Sequence, residues 1–250
     1  MDSRRADDER RAWLRSRVRG LAADEGVPAG LRHVALTASA VLAAGDVVVY
    51  QVLDGSRCEP VWVTGPVGDL VSEAEITFGE GPAVDCLRAE RPVVASDLAS
   101  AAEAVRWPVF APFALSHGVA AIVTFPVTMG AVVVGCLEAL RSTAGPPTRA
   151  ETLDGLLLAD VAMLLLLRAE PPRLGLDRFA DAVEARWAAV HQATGITSVQ
   201  LDSDLGTAFL RLRAHAYLTG RRLSDVAADV LARRVRFRVD PDVEPEAGQR

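Results

Sequence analysis

The sequence predicts an α+β domain, in which one antiparallel sheet is flanked by helices, followed by an all-α bundle of three helices. The segments run helix, strands, short helices, strands, helix, which differs from the strict strand–helix alternation of a parallel sheet. The segment Glu170-Pro-Pro-Arg-Leu-Gly175 has paired prolines, which end a helix and stiffen a linker. Beyond this segment, apolar residues recur at helical spacing.

Two helices and a hairpin open the chain. Apolar residues at helical spacing predict helices over residues 9–24 and 28–44. A β-branched run predicts a strand over residues 46–53, and residues 59–64 form its return strand. The dipeptide Asp54-Gly55 between them is typical of a hairpin turn.

Short helices and two long strands follow the hairpin. The segment Gly79-Glu-Gly-Pro82 interrupts regular structure. Later, Pro146-Pro-Thr148 ends the sheet and begins a long helix that reaches residue 168. The segments predicted in between are a helix at 83–89, a strand at 92–95, an amphipathic run at 106–117, and strands at 119–127 and 131–140.

The C-terminal part predicts three helices around one core. The first carries an apolar stripe that could also form a coiled-coil seam between two chains. Ser203 is the predicted N-cap of the second helix, Gly220 ends it, and the third starts at Ser224. The stripe of the first helix comprises Leu176, Phe179, Val183, Trp187 and Val190.

Charge is distributed unevenly along the chain, which contains no lysine. Residues 20–172 carry 8 Arg against 18 acidic residues, whereas residues 173–238 carry 11 Arg against 7. A basic unit attached to an acidic body fits a protein that binds a polyanion locally, and a solvated charged surface is the alternative that charge alone favours. The predicted domains are an N-terminal helical extension (1–19), an α+β domain (20–170), a linker (171–175), a basic helical domain (176–237) and an acidic disordered tail (238–250).

The sequence offers little for catalysis. The cysteines Cys58, Cys86 and Cys136 are odd in number and lack CxxC spacing, so we expect neither a disulfide framework nor a zinc site, and a reducing cytoplasm is the expected location. The four histidines are scattered, and no phosphate loop or nucleophile elbow occurs. We therefore expect no enzyme, no cofactor and no metal, and the absence of a signal-peptide core or an uninterrupted apolar run predicts no membrane association.

Two groups of side chains are candidates for binding. Trp62 and Trp107 could line a ligand pocket, although core packing is the alternative for both. Arg211 and Arg213 flank Leu212 of the second C-terminal helix, near His215 and the Arg221-Arg222 turn. Guanidinium groups bind phosphates and stack on unpaired bases, which is how proteins usually read RNA loops, while a merely solvated face is the alternative. A DNA-reading helix-turn-helix is disfavoured because the third helix offers mainly Val, Ala and Asp.

The C-terminal residues resemble the ANTAR domain, an RNA-binding antitermination module, over residues 176–237. The resemblance is carried by Ala193-x-Gly195, Ala208-Phe209, Leu212-Arg213, Ala216 and Leu223-x-x-Val226-Ala227. It implies RNA contacts by Gln192, Arg211, Arg213, His215 and Arg221. It implies a supporting core of Ala193, Gly195, Ala208, Leu212, Ala216 and Ala227. Thr194 departs from the family, which often has lysine there.

Upstream, residues 20–170 look like the GAF domain of actinobacterial GAF-ANTAR regulators. The resemblance rests on Phe78-Gly-Glu-Gly-Pro82, Ser96-Asp97-Leu98, Arg106-Trp-Pro108, Gly118-Val119 and Phe125-Pro126. Together the two resemblances imply a homodimer in which each ANTAR bundle grips one loop of a paired RNA stem-loop. Such binding would disfavour formation of an overlapping terminator hairpin. The resemblance also allows the GAF domain to sense a small ligand of unknown identity.

Two other functions fit the sequence. The cysteines of the GAF-like region allow a GAF-type thiol reductase acting on a small oxidised metabolite. The acidic surroundings and Thr194 allow a dimerisation or protein-partner module that has lost RNA binding.

Overall fold

The computed structural model describes residues 2–54, 57–167 and 178–238. Gly55 of the predicted turn, the predicted linker at 171–175 and the predicted tail from residue 239 onward lie outside the described residues. The chain divides into two compact units, Met1–Val183 and Glu184–Arg250.

A five-stranded antiparallel sheet forms the centre of the first unit, as the sequence predicts. Its strands are β1 (Asp46–Asp54), β2 (Arg57–Val63), β3 (Val93–Ala95), β4 (Ala121–Met129) and β5 (Val132–Arg141). Their order across the sheet is β2-β1-β5-β4-β3, and every neighbouring pair is antiparallel.

Seven helices flank this sheet in the described part of the unit. They are α1 (Asp2–Asp24), α2 (Leu31–Val41), α3 (Pro66–Phe78), α4 (Pro82–Ala89), α5 (Ala101–Arg106), α6 (Phe110–Ser116) and α7 (Arg149–Leu166). Thr148 begins α7 as predicted, because its hydroxyl accepts the N–H of Glu151 at 3.1 Å while the Glu151 carboxylate accepts the N–H of Thr148 at 2.6 Å. Helices α3 and α5 were not predicted from the sequence.

Apolar side chains fill the space between one face of the sheet and three helices. Helices α1, α2 and α7 pack together there, and α1 belongs fully to this core because Leu14 and Val18 are buried in it. Arg10 of α1 also pairs with the buried carboxylate of Asp154 in α7 at 2.5 Å. The sheet supplies Val47, Val49, Val123, Phe125, Val127, Leu137 and Ala139 to the same core.

The opposite face of the sheet is more polar. Side chains alternate between the two faces of a strand, and residues paired across a ladder share a face. Tyr50 pairs with Cys136, and Thr124 pairs with Glu138, so the register places these four on the face opposite Val49 and Leu137. Helix α3 packs on β1 and β2, and α4 packs on β4 and β5.

Three helices make up the second part of the chain: α8 (Arg178–Leu201), α9 (Leu205–Thr219) and α10 (Leu223–Leu231). The prediction of Ser203 as the N-cap of α9 was wrong by one residue. Asp204 is the cap, since its carboxylate accepts the N–H of Thr207 at 3.0 Å and lies at the positive end of the helix dipole. Gly220 ends α9 with a φ of +62°, as predicted. Helix α10 begins at Leu223, one residue before the predicted start.

Candidate functional site

Four polar side chains are buried together on the polar face of the sheet. This carboxyl cluster consists of Tyr50, Glu75, Thr124 and Glu138, each fully excluded from solvent. β1, α3, β4 and β5 contribute one side chain each. Burying a carboxyl group costs free energy unless the group is hydrogen-bonded or protonated. The hydrogen bonds and the protonation of the two glutamates therefore determine how this cluster is stabilised.

Each of the four carboxyl oxygens of the cluster lies within hydrogen-bonding distance of a polar group. The Tyr50 hydroxyl lies 2.6 Å from Glu75 Oε2 and 3.3 Å from Glu138 Oε1. The Thr124 hydroxyl donates to Glu138 Oε2 at 2.9 Å, and the Ala83 backbone N–H donates to Glu75 Oε1 at 2.9 Å. The last bond ties the first turn of α4 to α3 and, through Tyr50, to the sheet.

The carboxyl cluster holds at least one proton near neutral pH. Burial raises the pKa of Glu138 to about 7, against the opposing effect of hydrogen bonds from Thr124, Glu75 and Tyr50. Burial and repulsion from Glu138 raise the pKa of Glu75 well above its usual value. Because like charges in one dry site cannot both ionise readily, the two carboxyls titrate as a pair.

Two thiols lie beside this cluster. Cys86 of α4 and Cys136 of β5 are both fully buried, and their side chains are within hydrogen-bonding reach of each other. Burial and the contact with Cys86 raise the pKa of the Cys136 thiol well above its usual value. A buried thiol that stays protonated is a poor nucleophile.

Tyr50, Glu75, Thr124 and Glu138 were not among the site residues predicted from the sequence. One signal could have identified Glu138: it is the sole charged residue within the apolar run 131–140, which was predicted to be a strand. A carboxyl group in the middle of a central strand needs a buried partner. Glu75 gave no comparable signal because the helix that carries it was not predicted.

The two tryptophans proposed for a ligand pocket lie on opposite sides of the sheet. Trp62 packs against the apolar core that α1, α2 and α7 cover. Trp107 is buried on the other side, where its indole N–H donates to Asp85 of α4 at 3.3 Å and its ring meets Phe110 edge-on. The structure does not bring the two together in one pocket.

The expected supporting residues of the second unit occupy different environments. Five of the six are fully buried, whereas Gly195 is half-exposed in α8 and a Cβ atom built there would meet nothing within 4 Å. Thr194 points inward, since it is buried and its hydroxyl donates to the Val190 carbonyl at 2.8 Å. The five buried residues are Ala193, Ala208, Leu212, Ala216 and Ala227.

The expected RNA contacts do not form one continuous patch. Arg211 is exposed and His215 half-buried, one helical turn apart on α9, so they are neighbours on one edge of its buried stripe. Arg213 is half-buried, and residues two positions apart point in nearly opposite directions, so it lies at the other edge. Gln192 is exposed on α8.

Arg221 is engaged within the protein. Its guanidinium pairs with the Asp229 carboxylate at 2.7 Å, and Arg234 pairs with the other oxygen of that carboxylate at 2.5 Å. Hydrogen bonds from these two arginines lower the pKa of Asp229. An RNA phosphate would have to share or displace this carboxylate to bind Arg221.

The described residues show neither a metal site nor a membrane span. Across residues 2–54, 57–167 and 178–238, no three His, Cys, Asp or Glu side chains are grouped so as to hold a metal ion. Over the same ranges, no helix combines the length and apolar character needed to cross a membrane.

Comparison with known proteins yields likenesses in fold. No model of a known protein family matches the sequence, and no curated protein does. Solved structures that resemble the chain include the GAF domains of phosphoenolpyruvate-protein phosphotransferases from Acinetobacter (12% identity, 63% of this chain and 94% of that chain, TM-score 0.47) and Coxiella burnetii (14% identity, 62% and 94%, TM-score 0.47). Another is a free methionine-R-sulfoxide reductase from Thermoplasma acidophilum (12% identity, 65% and 95%, TM-score 0.39). TM-scores below 0.5 at these identities do not establish a family.

Proposed function

We propose that this protein is a dimeric RNA-binding regulator of transcription antitermination, with an N-terminal GAF domain that acts as its sensor. The observation that carries the proposal is the second unit. The buried Ala193 of α8 and Ala208, Leu212 and Ala216 of α9 coincide with the ANTAR-like motif, while Arg211 of α9 is exposed and His215 is half-buried one turn away. This arrangement separates a small-residue core from a cationic edge suited to phosphates and unpaired bases.

No covalent chemistry is needed for this function. Nascent RNA exchanges between a paired stem-loop and an overlapping terminator hairpin, and the protein favours whichever form it binds more tightly. A tenfold preference for the stem-loop changes the ratio of the two forms tenfold, which corresponds to about 1.4 kcal/mol. In the proposed dimer, each bundle grips one loop, so the paired stem-loop gains from two linked contacts.

The sensor role is assigned to the polar side of the sheet. Helices α3 and α4 are joined there to β1 and β5 by the hydrogen bonds of the carboxyl cluster. A ligand that entered between these helices and the sheet would have to rearrange those bonds. The carboxyl cluster is therefore where binding and a change in helix position would be coupled.

Transcription through a terminator tests the proposed function. The template would carry a paired hexaloop stem-loop that overlaps the terminator, and the control template would have both loops scrambled. We expect added protein to increase readthrough on the first template only. Equal readthrough on both templates at all protein concentrations would contradict the proposal.

A thiol reductase is the second candidate, because Cys86 and Cys136 lie within reach of each other. Their burial and the raised pKa of Cys136 disfavour nucleophilic attack. Methionine sulfoxide with a dithiol reductant is a direct assay. Turnover that the double variant C86S/C136S abolishes would favour the reductase.

A further inference from the structure

An apolar groove runs along α8 beside the end of α10. It has a volume of about 580 Å³ and is lined by Gln192, Gly195, Ile196, Val199, Gln200 and Leu231. Val199 is 84% exposed and Ile196 is 37% exposed, although both are aliphatic. Neighbouring exposed aliphatic side chains over a groove mark a surface suited to another apolar segment.

The chain that follows α10 returns to one end of this groove. The backbone N–H of Phe237 donates to the Gln200 side-chain oxygen at 2.8 Å. The Phe237 ring meets the His215 ring edge-on, with 5.5 Å between ring centroids. Phe237 is therefore held at the Gln200 end of the groove, and residue 239 comes two positions after it in the sequence.

Residues 239–246 have the composition of a two-sided extended segment. Acidic residues occupy every second position, and the positions between them hold valine or proline. In an extended chain, alternate residues face opposite sides, so one side is acidic and the other apolar. The sequence of this segment is Val239-Asp-Pro-Asp-Val-Glu-Pro-Glu246.

The length of the segment suits the groove. The eight helical steps from Gln192 to Gln200 span about 12 Å at 1.5 Å per residue. The four steps from Val239 to Val243 would span about 13 Å in an extended conformation, at 3.3 Å per residue. Its charge is also complementary, because residues 239–250 carry four acids and one Arg whereas residues 178–238 carry ten Arg and six acids.

We propose that residues 239–243 dock in the α8 groove, with their apolar side against Ile196 and Val199, and that the segment 239–246 competes there with RNA. The competition rests on the proposed function, since Gln192 lines the groove and is an expected RNA contact. Tethering beside His215 gives the segment a high effective concentration at this surface. Its acidic side would repel phosphates from the same edge of the bundle.

Methyl NMR of the full chain, without RNA, tests docking directly. The chain contains only three isoleucines, of which Ile196 lies in the groove while Ile76 and Ile122 belong to the first unit. We expect the δ1-methyl signal of Ile196 to differ between the full chain and a chain ending at Arg238, while the other two signals coincide. An Ile196 signal that is the same in both chains overturns docking. A difference that appears only with increasing protein concentration also overturns it, because it would indicate that a second copy of the chain occupies the groove.

RNA affinity tests the competition. We expect the chain ending at Arg238 to bind a hexaloop stem-loop RNA about five- to twentyfold more tightly than the full chain. The full-length variant D240N/D242N/E244Q/E246Q should recover most of this gain. Equal affinity of the truncated and full chains overturns competition. If neither chain binds RNA, both the proposed function and the competition fail, whereas the Ile196 signal still decides docking.

Discussion

At the scale of single residues, Glu75 and Glu138 are the unusual feature of the first unit. Their oxygens bond a phenol, an alcohol and a backbone amide, and no arginine is among these partners in the described residues. Protonation of a carboxyl group, rather than pairing with a cation, therefore lowers the electrostatic cost of burying these two acids. The stability of this unit is consequently tied to pH through these two groups.

Stability should fall as pH rises from about 5 to 8. The pKa of Glu138 is about 7 in the folded protein and lower in the unfolded chain, so the folded state binds more protons over this interval. Glu138→Gln cannot ionise and keeps an oxygen for the Thr124 hydroxyl. We expect this variant to lose much of the pH dependence.

Urea unfolding across pH 5 to 8 measures this effect. Trp187→Phe as the background leaves Trp13, Trp62 and Trp107, which all belong to the first unit, as the fluorescent reporters. Glu9→Gln serves as the control because Glu9 is exposed. A free energy of unfolding that depends on pH equally in Glu138→Gln and in the control would refute the role of the carboxyl cluster.

Arg211 should contribute to RNA affinity through a single phosphate contact. As an exposed cation on α9, it is suited to one phosphate contact. Arg211→Ala should weaken binding to all stem-loops alike and reduce the salt slope of the affinity by about 1. Arg149→Ala, an exposed position in the first unit, changes the net charge equally and should leave RNA affinity unchanged. Equal loss in both variants would show a general charge effect.

At the scale of elements, the strands were predictable and α3 was not. Strands β4 and β5 are runs of β-branched and apolar residues, so their own composition identifies them. Helix α3 is buried on nearly all sides, and its buried residues include Asp69, Ser72, Glu73 and Glu75. It was not predicted because these polar and acidic residues are interspersed with the apolar ones. The site was missed for the same reason, since one half of the carboxyl pair belongs to this helix.

Helix α1 should contribute strongly to the stability of the first unit, although the sequence suggested that residues 1–19 are an extension. Leu14 has no exposed surface and packs with α2 and α7. Leu14→Ala should lower the free energy of unfolding by about 2–5 kcal/mol, because it leaves a cavity in the core. Ser16→Ala, at an exposed position of the same helix, should change it by less than about 0.5 kcal/mol. Urea unfolding measures both, and a small effect of Leu14→Ala would place α1 outside the core.

At the scale of the whole molecule, an acidic stretch of chain followed by a basic one suits a sensor joined to a polyanion reader. Residues 20–172 carry a net charge of −10, and residues 173–238 carry +4. RNA should therefore be attracted to residues 173–238 and repelled by residues 20–172, which makes binding local and sensitive to salt. The sequence predicted this charge division fully, because it depends on composition alone. The pairing of Arg221 with Asp229 depends on the packing of α9 against α10 and was not predictable.

The most direct test of the central claim is binding of the full chain to a paired hexaloop stem-loop RNA across a salt series. The comparison RNA has scrambled loops in the same stems, and both affinities are measured by fluorescence anisotropy. We predict loop-dependent binding that weakens steeply with salt, with the scrambled RNA bound at least tenfold more weakly. Equal, weak affinity for both RNAs at every salt concentration would contradict the antitermination function.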